Sequence, residues 1–423
     1  MKPVVLDGAK LEGGGQLVRV ALALSAITSI PVTIHSIRAN RAPQRRSNTG
    51  RNRVGSSRSR KPEGGLKESH LAALQYLAHQ CNAYVEGAEI GSRDVTFVPG
   101  GGCQRGNGGK GLIDFEKNVI ELQNPGSVWL IVQAILPYLI FRKGAHEKVE
   151  LTIRGGTNVS KSMSGEYVQL VLLPTLRKIG LPEIQVEIVK RGWAGNAPAI
   201  GEVKLRLPAV PSDGFKLKGF HVDDCGDLES IQVSIMAGST HAREYLKTQC
   251  EKLLQERCGK DVLISFLPDE DSGDIRRLYI LLVARTSNGC LLGRDFLGTG
   301  RLPKNKSEEE KILQHACESV VRDLKLELIK GSAVDEFLQD QLVIFQALAE
   351  DRSCVDGRDY NFLKDDDGSL HTKTVRWVCS ELLKNWKDVV RFGDADACRG
   401  IGWNFDATVA DSASTELAQL ELG

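Results

Sequence analysis

The sequence has no Cys-x-x-Cys pair, although 10 cysteines are scattered along its 423 residues. That absence argues against a zinc ribbon, a dithiol redox motif or a disulfide framework, and fits a reducing compartment. Long apolar runs are missing too. The most apolar window, Val128 to Phe141, contains Gln133 and Pro137 and is too short to span a membrane, so it reads as a buried helix. The N-terminus, Met1-Lys2-Pro3-Val4-Val5, lacks the apolar stretch of a signal peptide. Net charge is nearly absent: 55 Lys and Arg against 54 Asp and Glu leave +1. Any nucleic-acid binding must therefore come from local patches. The expectation is a nuclear or cytoplasmic protein, neither secreted nor membrane-bound. At 41% hydrophobic and 26% charged residues, a packed core is available and wholesale disorder is excluded. At about 150 residues per domain, the length suggests two or three domains.

The first hundred residues read as a unit. Val4-Val5-Leu6 is a strand, and the turn Glu12-Gly13-Gly14-Gly15-Gln16 opens a helix through about Ile27. Pro31 to Ile37 alternates as a strand, Glu68 to His79 is helical, and Asn82 to Glu86 and Val95 to Val98 are strands. The pattern recurs. Gly111 to Asp114 and Val119 to Leu122 are strand-like, a helix runs from Pro125-Gly126-Ser127 through Phe141, and Lys148 to Arg154 is a strand. Gly165 to Ile179 is a helix, followed by strands Ile184 to Lys190 and Gly201 to Leu207.

A third unit begins with a strand at Gly219 to Val222 and looks interrupted. The interruption reads as strand Ser230 to Ala237, helix Ala242 to Gln255, strands Val262 to Phe266, Leu278 to Ala284 and Cys290 to Phe296, and helix Lys311 to Leu324. Helices Ala333 to Ala349 and Thr372 to Asn385 and strand Asp388 to Phe392 then resume the core. The expected fold class is α/β (α+β): three repeated β-α-β-α-β-β units with a small inserted α/β domain. The expected division is 1–222 for the first part of the core, 223–328 for the insertion, 329–395 for the last part, and a disordered tail over 396–423. Arg41 to Lys61 contains eight Arg and Lys and no acid. It reads as a weakly ordered basic loop, with an RNA-binding loop, a solvated insertion and a gene-model artefact all open.

Four motifs carry chemistry. Glu12-Gly13-Gly14-Gly15-Gln16 sits at a strand-to-helix turn, where glycines let backbone amides approach an anion. Glu12 suits a divalent metal there, and Arg19 follows two turns along. The motif matches neither Walker A nor Gly-x-Gly-x-x-Gly. Ile37-Arg38-Ala39-Asn40-Arg41 ends a strand, and Gly65-Leu66-Lys67-Glu68-Ser69-His70 opens a helix. Arginines placed so suit bidentate phosphate contacts, or simply a solvated cationic edge. Asp340 and Gln341 lie beside the apolar stripe of their helix, where they line a site or cap neighbouring backbone. Ser369-Leu370-His371-Thr372 enters another helix. A histidine there is either a nucleophile near phosphate or an ordinary capping residue.

Together these motifs resemble the RNA 3′-terminal phosphate cyclases over nearly the whole length, excluding the basic loop and the last residues. The resemblance rests on Leu6-Asp7-Gly8 with Glu12-Gly13-Gly14-Gly15-Gln16 and Arg19, Ile37-Arg38-Ala39-x-Arg41, and Gly65-Leu66-Lys67-x-x-His70-Leu71. It continues through Gly126-Ser127 with Gln133 and Leu136-Pro137, Gly155-Gly156-Thr157, Asp340-Gln341-Leu342 and Leu370-His371-Thr372. The order and spacing are highly specific. The resemblance implies the three-unit fold, shared with enolpyruvyl transferases, and conversion of an RNA 3′-phosphate end to a 2′,3′-cyclic phosphate with ATP and Mg²⁺ or Mn²⁺. It implies His371 as the adenylylated residue and Glu12 as the metal carboxylate. It implies Arg19, Arg38, Arg41 and His70 around the phosphate and RNA end, and Gln133, Phe337, Asp340 and Gln341 around the nucleotide.

The sequence departs from the family pattern in places. Leu11 stands where Gly is usual, Ser69 for Gln, Asn158 for Asp, Met163-Ser164 for a Pro pair, and Phe337 for Tyr; the Gly triplet near Asn196 to Gly201 is broken. A catalytically inactive, cyclase-like RNA-binding protein of ribosome biogenesis is the alternative. An enolpyruvyl-type transferase shares the fold only. His371 in its Leu-His-Thr setting favours the enzyme.

Overall fold

The computed structural model describes residues 2–40, 64–102, 112–142, 147–195, 197–211, 214–298, 303, 305–357, 368–386, 392 and 397–403. The basic stretch, with Arg41, lies outside the described residues, as does the strand expected at Asp388 to Phe392 apart from Phe392.

The chain opens with β1 (Val4–Asp7), α1 (Gly15–Thr28), β2 (Val32–His35), α2 (Glu68–Gln80), β3 (Tyr84–Glu86) and β4 (Val95–Val98). These strands pair in the order β1-β2-β4-β3, with β1 and β2 parallel and β4 antiparallel to both its neighbours. Next come β5 (Ile113–Asp114), β6 (Val119–Glu121), α3 (Val128–Phe141) and β7 (Val149–Gly155). A helical stretch follows as α4 (Gly165–Tyr167), a π turn (Val168–Leu172) and α5 (Leu173–Lys178), then β8 (Gln185–Lys190) and β9 (Gly201–Leu207). The second sheet runs β5-β6-β7-β9-β8; β6 and β7 are parallel and β9 is antiparallel to its neighbours. Apart from β5, it has the order and senses of the first sheet.

β10 (His221–Val222) leads into β11 (Leu228–Ala237), α6 (Thr240–Cys258), β12 (Leu263–Phe266), β13 (Glu270–Asp271), β14 (Leu278–Thr286), β15 (Leu291–Gly298) and α7 (Lys306–Lys330). The chain continues as α8 (Glu336–Leu348), β16 (Arg352–Val355), α9 (Leu370–Leu382) and β17 (Ala397–Arg399). β10 pairs parallel with β16, and β16 antiparallel with β17. Residues 397–403, expected within a disordered tail, are instead ordered: β17 completes this sheet, and Trp403 is buried in the core, tilted against Trp386 at 5.9 Å.

The core is built on helices that are mostly apolar and buried on nearly every side. Every residue of α1 from Gln16 to Thr28 is buried, and so is nearly all of α3. A helix this apolar has to be enclosed, and α1 is enclosed by α2, α3 and α9. A second apolar cluster lies wholly between residues 231 and 324. There α6 and α7 cover one face of the β11–β15 sheet, while Met236, Tyr279, Leu281 and Val283 on its other face join the main core. Two-sided burial explains the nearly unbroken apolar run of β14.

Three departures from the sequence expectation have local causes. Strand β16, Arg-Ser-Cys-Val, has too few apolar residues to show a period, and pairing on both sides makes it. Helix α7 is longer at both ends, from an Asn305 cap that accepts from Ser307 N at 3.0 Å to Gly331 at φ 65°. The expected single helix at Gly165 to Ile179 contains the π turn, a distortion that often marks functional sites. Among the described residues, no helix is long and apolar enough to cross a membrane.

Candidate active site

The glycine turn after β1 brings the first polar groups together. Leu11 (φ 55°) and Gly13 (φ 57°) both take left-handed backbone, which explains why Gly is usual at the first position. A Cβ on Gly14 would strike the Glu12 carboxylate, and one on Gly15 would strike His70 Nε2 and lie 2.8 Å from Arg19 Nη1. These glycines thus allow Glu12, His70 and Arg19 to close around the N-terminus of α1. Gly14 caps α1 and, having no side chain, offers the first-turn amides no cap of its own.

Arg19 is buried on α1. Its Nε donates to Gln133 Oε1 of α3 at 2.6 Å, and its Nη2 donates to Gln16 Oε1 at 2.5 Å. Gln133 Nε2 donates to the same Gln16 oxygen at 3.1 Å. Burial pulls the Arg19 pKa down to about 10, against the opposing pull of Asp340 and Glu12, so the guanidinium stays charged. Gln16 thus joins the site although the sequence singled it out only as part of the turn.

His70 is buried, and its Nδ1 accepts from Lys67 N at 3.1 Å. Burial, then Arg19, Arg38 and Lys67, hold its pKa well below the usual imidazole value. The ring is therefore neutral with its proton on Nε2, a hydrogen-bond donor towards the glycine turn. Arg38, also buried, takes positive φ (54°) and donates to Gly65 O at 3.2 Å.

α9 brings in the histidine. Ser369 caps it, accepting from Thr372 N at 3.1 Å, and Thr372 Oγ1 donates to Gln339 Oε1 of α8 at 3.1 Å. His371 lies in the first turn with its side chain 50% exposed, and its Nδ1 is 3.8 Å from Glu12 Oε2, whose side chain is 8% exposed. Glu12 N donates to Thr374 Oγ1 at 3.2 Å, fixing the turn to the same helix. The fold thus brings Glu12 and Arg19 of one segment together with His70 of α2 and His371 of α9.

A small, largely apolar pocket, partly open to solvent, adjoins them. Val132, Leu136 and Pro137 of α3, Val168 and Leu172 of the π turn, and Ile344 and Phe345 of α8 line it, with Gln133, Asp340 and Gln341 as its polar groups. Phe337 is outside this lining. It is 42% exposed, edge-on to Tyr167 at 6.2 Å, with Arg294 Cζ 4.8 Å from its ring centre.

Arg294 carries no motif and was not legible in the sequence. It reaches from β15 of the inserted segment to Glu327 of α7 and, at 3.0 Å, to Glu336 of α8. Beside it, Asp335 caps α8, accepts from Gly293 N at 2.7 Å and from Tyr167 OH at 2.6 Å. The inserted segment therefore fixes the start of the helix that bears Asp340. Arg294→Met should destabilise the protein by about 3 kcal/mol in urea unfolding, since it leaves the buried Glu327 carboxylate with only Lys330, at 3.5 Å, to offset its charge. Arg294→Lys should cost less.

The Asp340 carboxyl has its pKa pushed up to about 7, chiefly by burial, with Gln341 and Arg19 opposing and Asp335 and Glu12 adding. An unfolded Asp titrates near about 3.9. Between about pH 4 and about pH 7 the unfolded chain has released this proton and the folded protein still holds it, so stability falls as pH rises through that window. Asp340→Asn removes this component. Its unfolding free energy relative to wild type should therefore rise from pH 4 to 7; a pH-independent difference would exclude the assignment.

In this α+β protein a charged and amide-lined patch and a half-exposed histidine thus lie beside a small apolar pocket. The sequence profile described as RNA 3′-terminal phosphate cyclase matches residues 10–386. The RNA 3′-terminal phosphate cyclase of Methanosarcina mazei is 30% identical over 90% of this chain and 95% of its own length. That of Pyrococcus furiosus is 32% identical over 82% of this chain and 86% of its own. The chain belongs to the RNA 3′-terminal phosphate cyclase family of enzymes.

Proposed function

We propose that this protein converts an RNA 3′-phosphate end to a 2′,3′-cyclic phosphate with ATP, through an AMP adduct on His371. The observation that carries the reading is the approach of Glu12 to His371 Nδ1 at 3.8 Å beside the buried Arg19 and His70. With Nδ1 turned to the carboxylate, Nε2 is the nitrogen presented outward. Its lone pair attacks the α-phosphorus, and pyrophosphate leaves. Positive charge left on the ring falls on Nδ1–H, where Glu12 offsets it. An RNA 3′-phosphate oxygen then attacks the AMP phosphorus, the P–N bond breaks and its electrons return to Nε2. In the resulting RNA-pp-A end, the neighbouring 2′-OH attacks the RNA phosphate, loses its proton and expels AMP; the ribose supplies high effective concentration.

Arg19, Arg38 and Arg41 gather the phosphates, and His70 donates to them through Nε2–H rather than acting as a base. Gln133, Asp340 and Gln341 flank the nucleotide at the mouth of the pocket, and Phe337 contacts it from outside that lining. Among the described residues no group of three or more His, Cys, Asp or Glu could form a metal cage. Glu12 alone still fits Mg²⁺ or Mn²⁺, because such ions are commonly held by one or two carboxylates and the substrate's own phosphates. The ion would supply neutralisation of phosphate charge there.

We also read the shared strand order of the first two sheets, and the partial match of the third, as three copies of one β-α-β-α-β-β unit. On that reading the core is 1–222 and 329–395, and the insertion is 223–328. The location we infer is the nucleus or cytoplasm.

The test is purified protein mixed with α-labelled ATP and Mg²⁺, then chased with 3′-phosphorylated RNA. Acid-labile AMP on the protein, discharged by RNA to a phosphatase-resistant end, is the expected result. No label across several divalent metals would move the reading to an inactive, RNA-binding relative.

A further inference from the structure

The helix of His371 carries a feature that the chemistry above leaves unused. Lys10 Nζ lies 4.3 Å from the centre of the Trp377 ring. Lys10 is exposed and Trp377 half-buried, its Nε1 donating to Glu381 Oε1 at 3.1 Å, which sets the ring's orientation. Lys10 opens the turn that presents Glu12, its carbonyl accepting from Gly13 N at 3.1 Å. Thr374, which accepts from Glu12 N, is about one turn beyond His371, and Trp377 about one turn beyond Thr374. At ~1.5 Å per residue, Trp377 stands about 9 Å along α9 from His371. The same turn is tied to the arginine segment, where Asn40 Nδ2 donates to Ala9 O at 3.2 Å. The Lys10–Trp377 pair thus borders both the His371–Glu12 pair and the strand end that bears Arg38.

We propose that Lys10 and Trp377 form a subsite for the nucleotide preceding the 3′-terminal one. Its base stacks on Trp377, and Lys10 leaves the ring for the adjoining phosphate. An exposed ammonium–ring contact is weak, and a base–aromatic stack outcompetes it. A flat ring accepts the face of any base and an ammonium any phosphate, so the subsite reads strand length rather than sequence. This inference rests on the function proposed above.

The test compares kcat/KM for 3′-phosphorylated substrates of one, two and three nucleotides. Trp377→Ala should lower it roughly tenfold or more for the two longer substrates, in the range of a lost base–aromatic stack, and leave the single nucleotide within about twofold. Trp377→Phe should recover most of the loss, which separates stacking from damage to α9. Lys10→Ala should flatten the dependence of log affinity on log salt by about 0.7 for the trinucleotide, the share of one phosphate contact on a single strand. A loss equal at all lengths, or no loss at any, would overturn the subsite. If wild-type protein takes no AMP from ATP, the proposed function fails and the subsite with it. If wild type is labelled and length does not matter, the subsite alone fails.

Discussion

Replacing His371 with alanine should abolish the proposed transfer of AMP from ATP to the protein and lower cyclisation by about 10³-fold or more. A covalent route has no residue to take the nucleophile's place, and losing the nucleophile of a covalent enzyme costs several orders of magnitude. Stability should hold, because the side chain is 50% exposed. Exposed substitutions outside packed or paired sites usually stay within about 0.5 kcal/mol. The measurement is mass spectrometry of the protein after ATP, with a melting curve for fold. Label persisting on the variant would move the nucleophile elsewhere; label lost together with a collapsed melting temperature would leave the role to a second variant, His371→Asn. Glu12→Gln offers an internal comparison. It keeps the volume and removes the charge opposite Nδ1, so label should form more slowly and not disappear.

The second large effect is at Arg19. Arg19→Ala should cost about 3–5 kcal/mol in stability, since a buried cation and its hydrogen bonds to Gln133 and Gln16 are lost together. Asp340 then loses the positive charge that opposes its protonation, so its pKa should climb further above about 7. Activity at saturating ATP should fall by at least 10²-fold, the scale of removing one charge-stabilising donor from a closed site. Arg19→Lys keeps the charge but cannot donate from both Nε and Nη2, so an intermediate loss is expected. Adding Asp340→Asn to Arg19→Ala should return part of the stability. A double-mutant cycle in urea reads that coupling, and strict additivity would show that the two groups do not interact.

Much of the fold was legible along the chain. The apolar window Val128 to Phe141 already read as a buried helix, and α3 is buried over nearly its whole length. The glycine turn was legible as well. Left-handed backbone at Gly13, and side chains packed against Gly14 and Gly15, tolerate few other residues there. Weakly patterned pieces were not legible. β13 and β16 are short and polar, and they are strands because neighbours pair with their amides. β17 lay in what reads as tail, since its partner β16 is distant in sequence.

The candidate site divides in the same way. By itself the sequence pointed out the candidate groups, because Glu, Arg, His and Gly at those turns and helix entries impose local geometry within a few residues. Only the tertiary structure decided their company. Glu12 meets Thr374 across 362 positions of chain, and Asp340 lines one pocket with Gln133. Arg294, with no motif of its own, anchors the start of α8 from the inserted segment. Periodicity records how a segment faces the core. It does not record which other segment lies across the core, and pKa shifts, ion pairs and a cleft all depend on that neighbour.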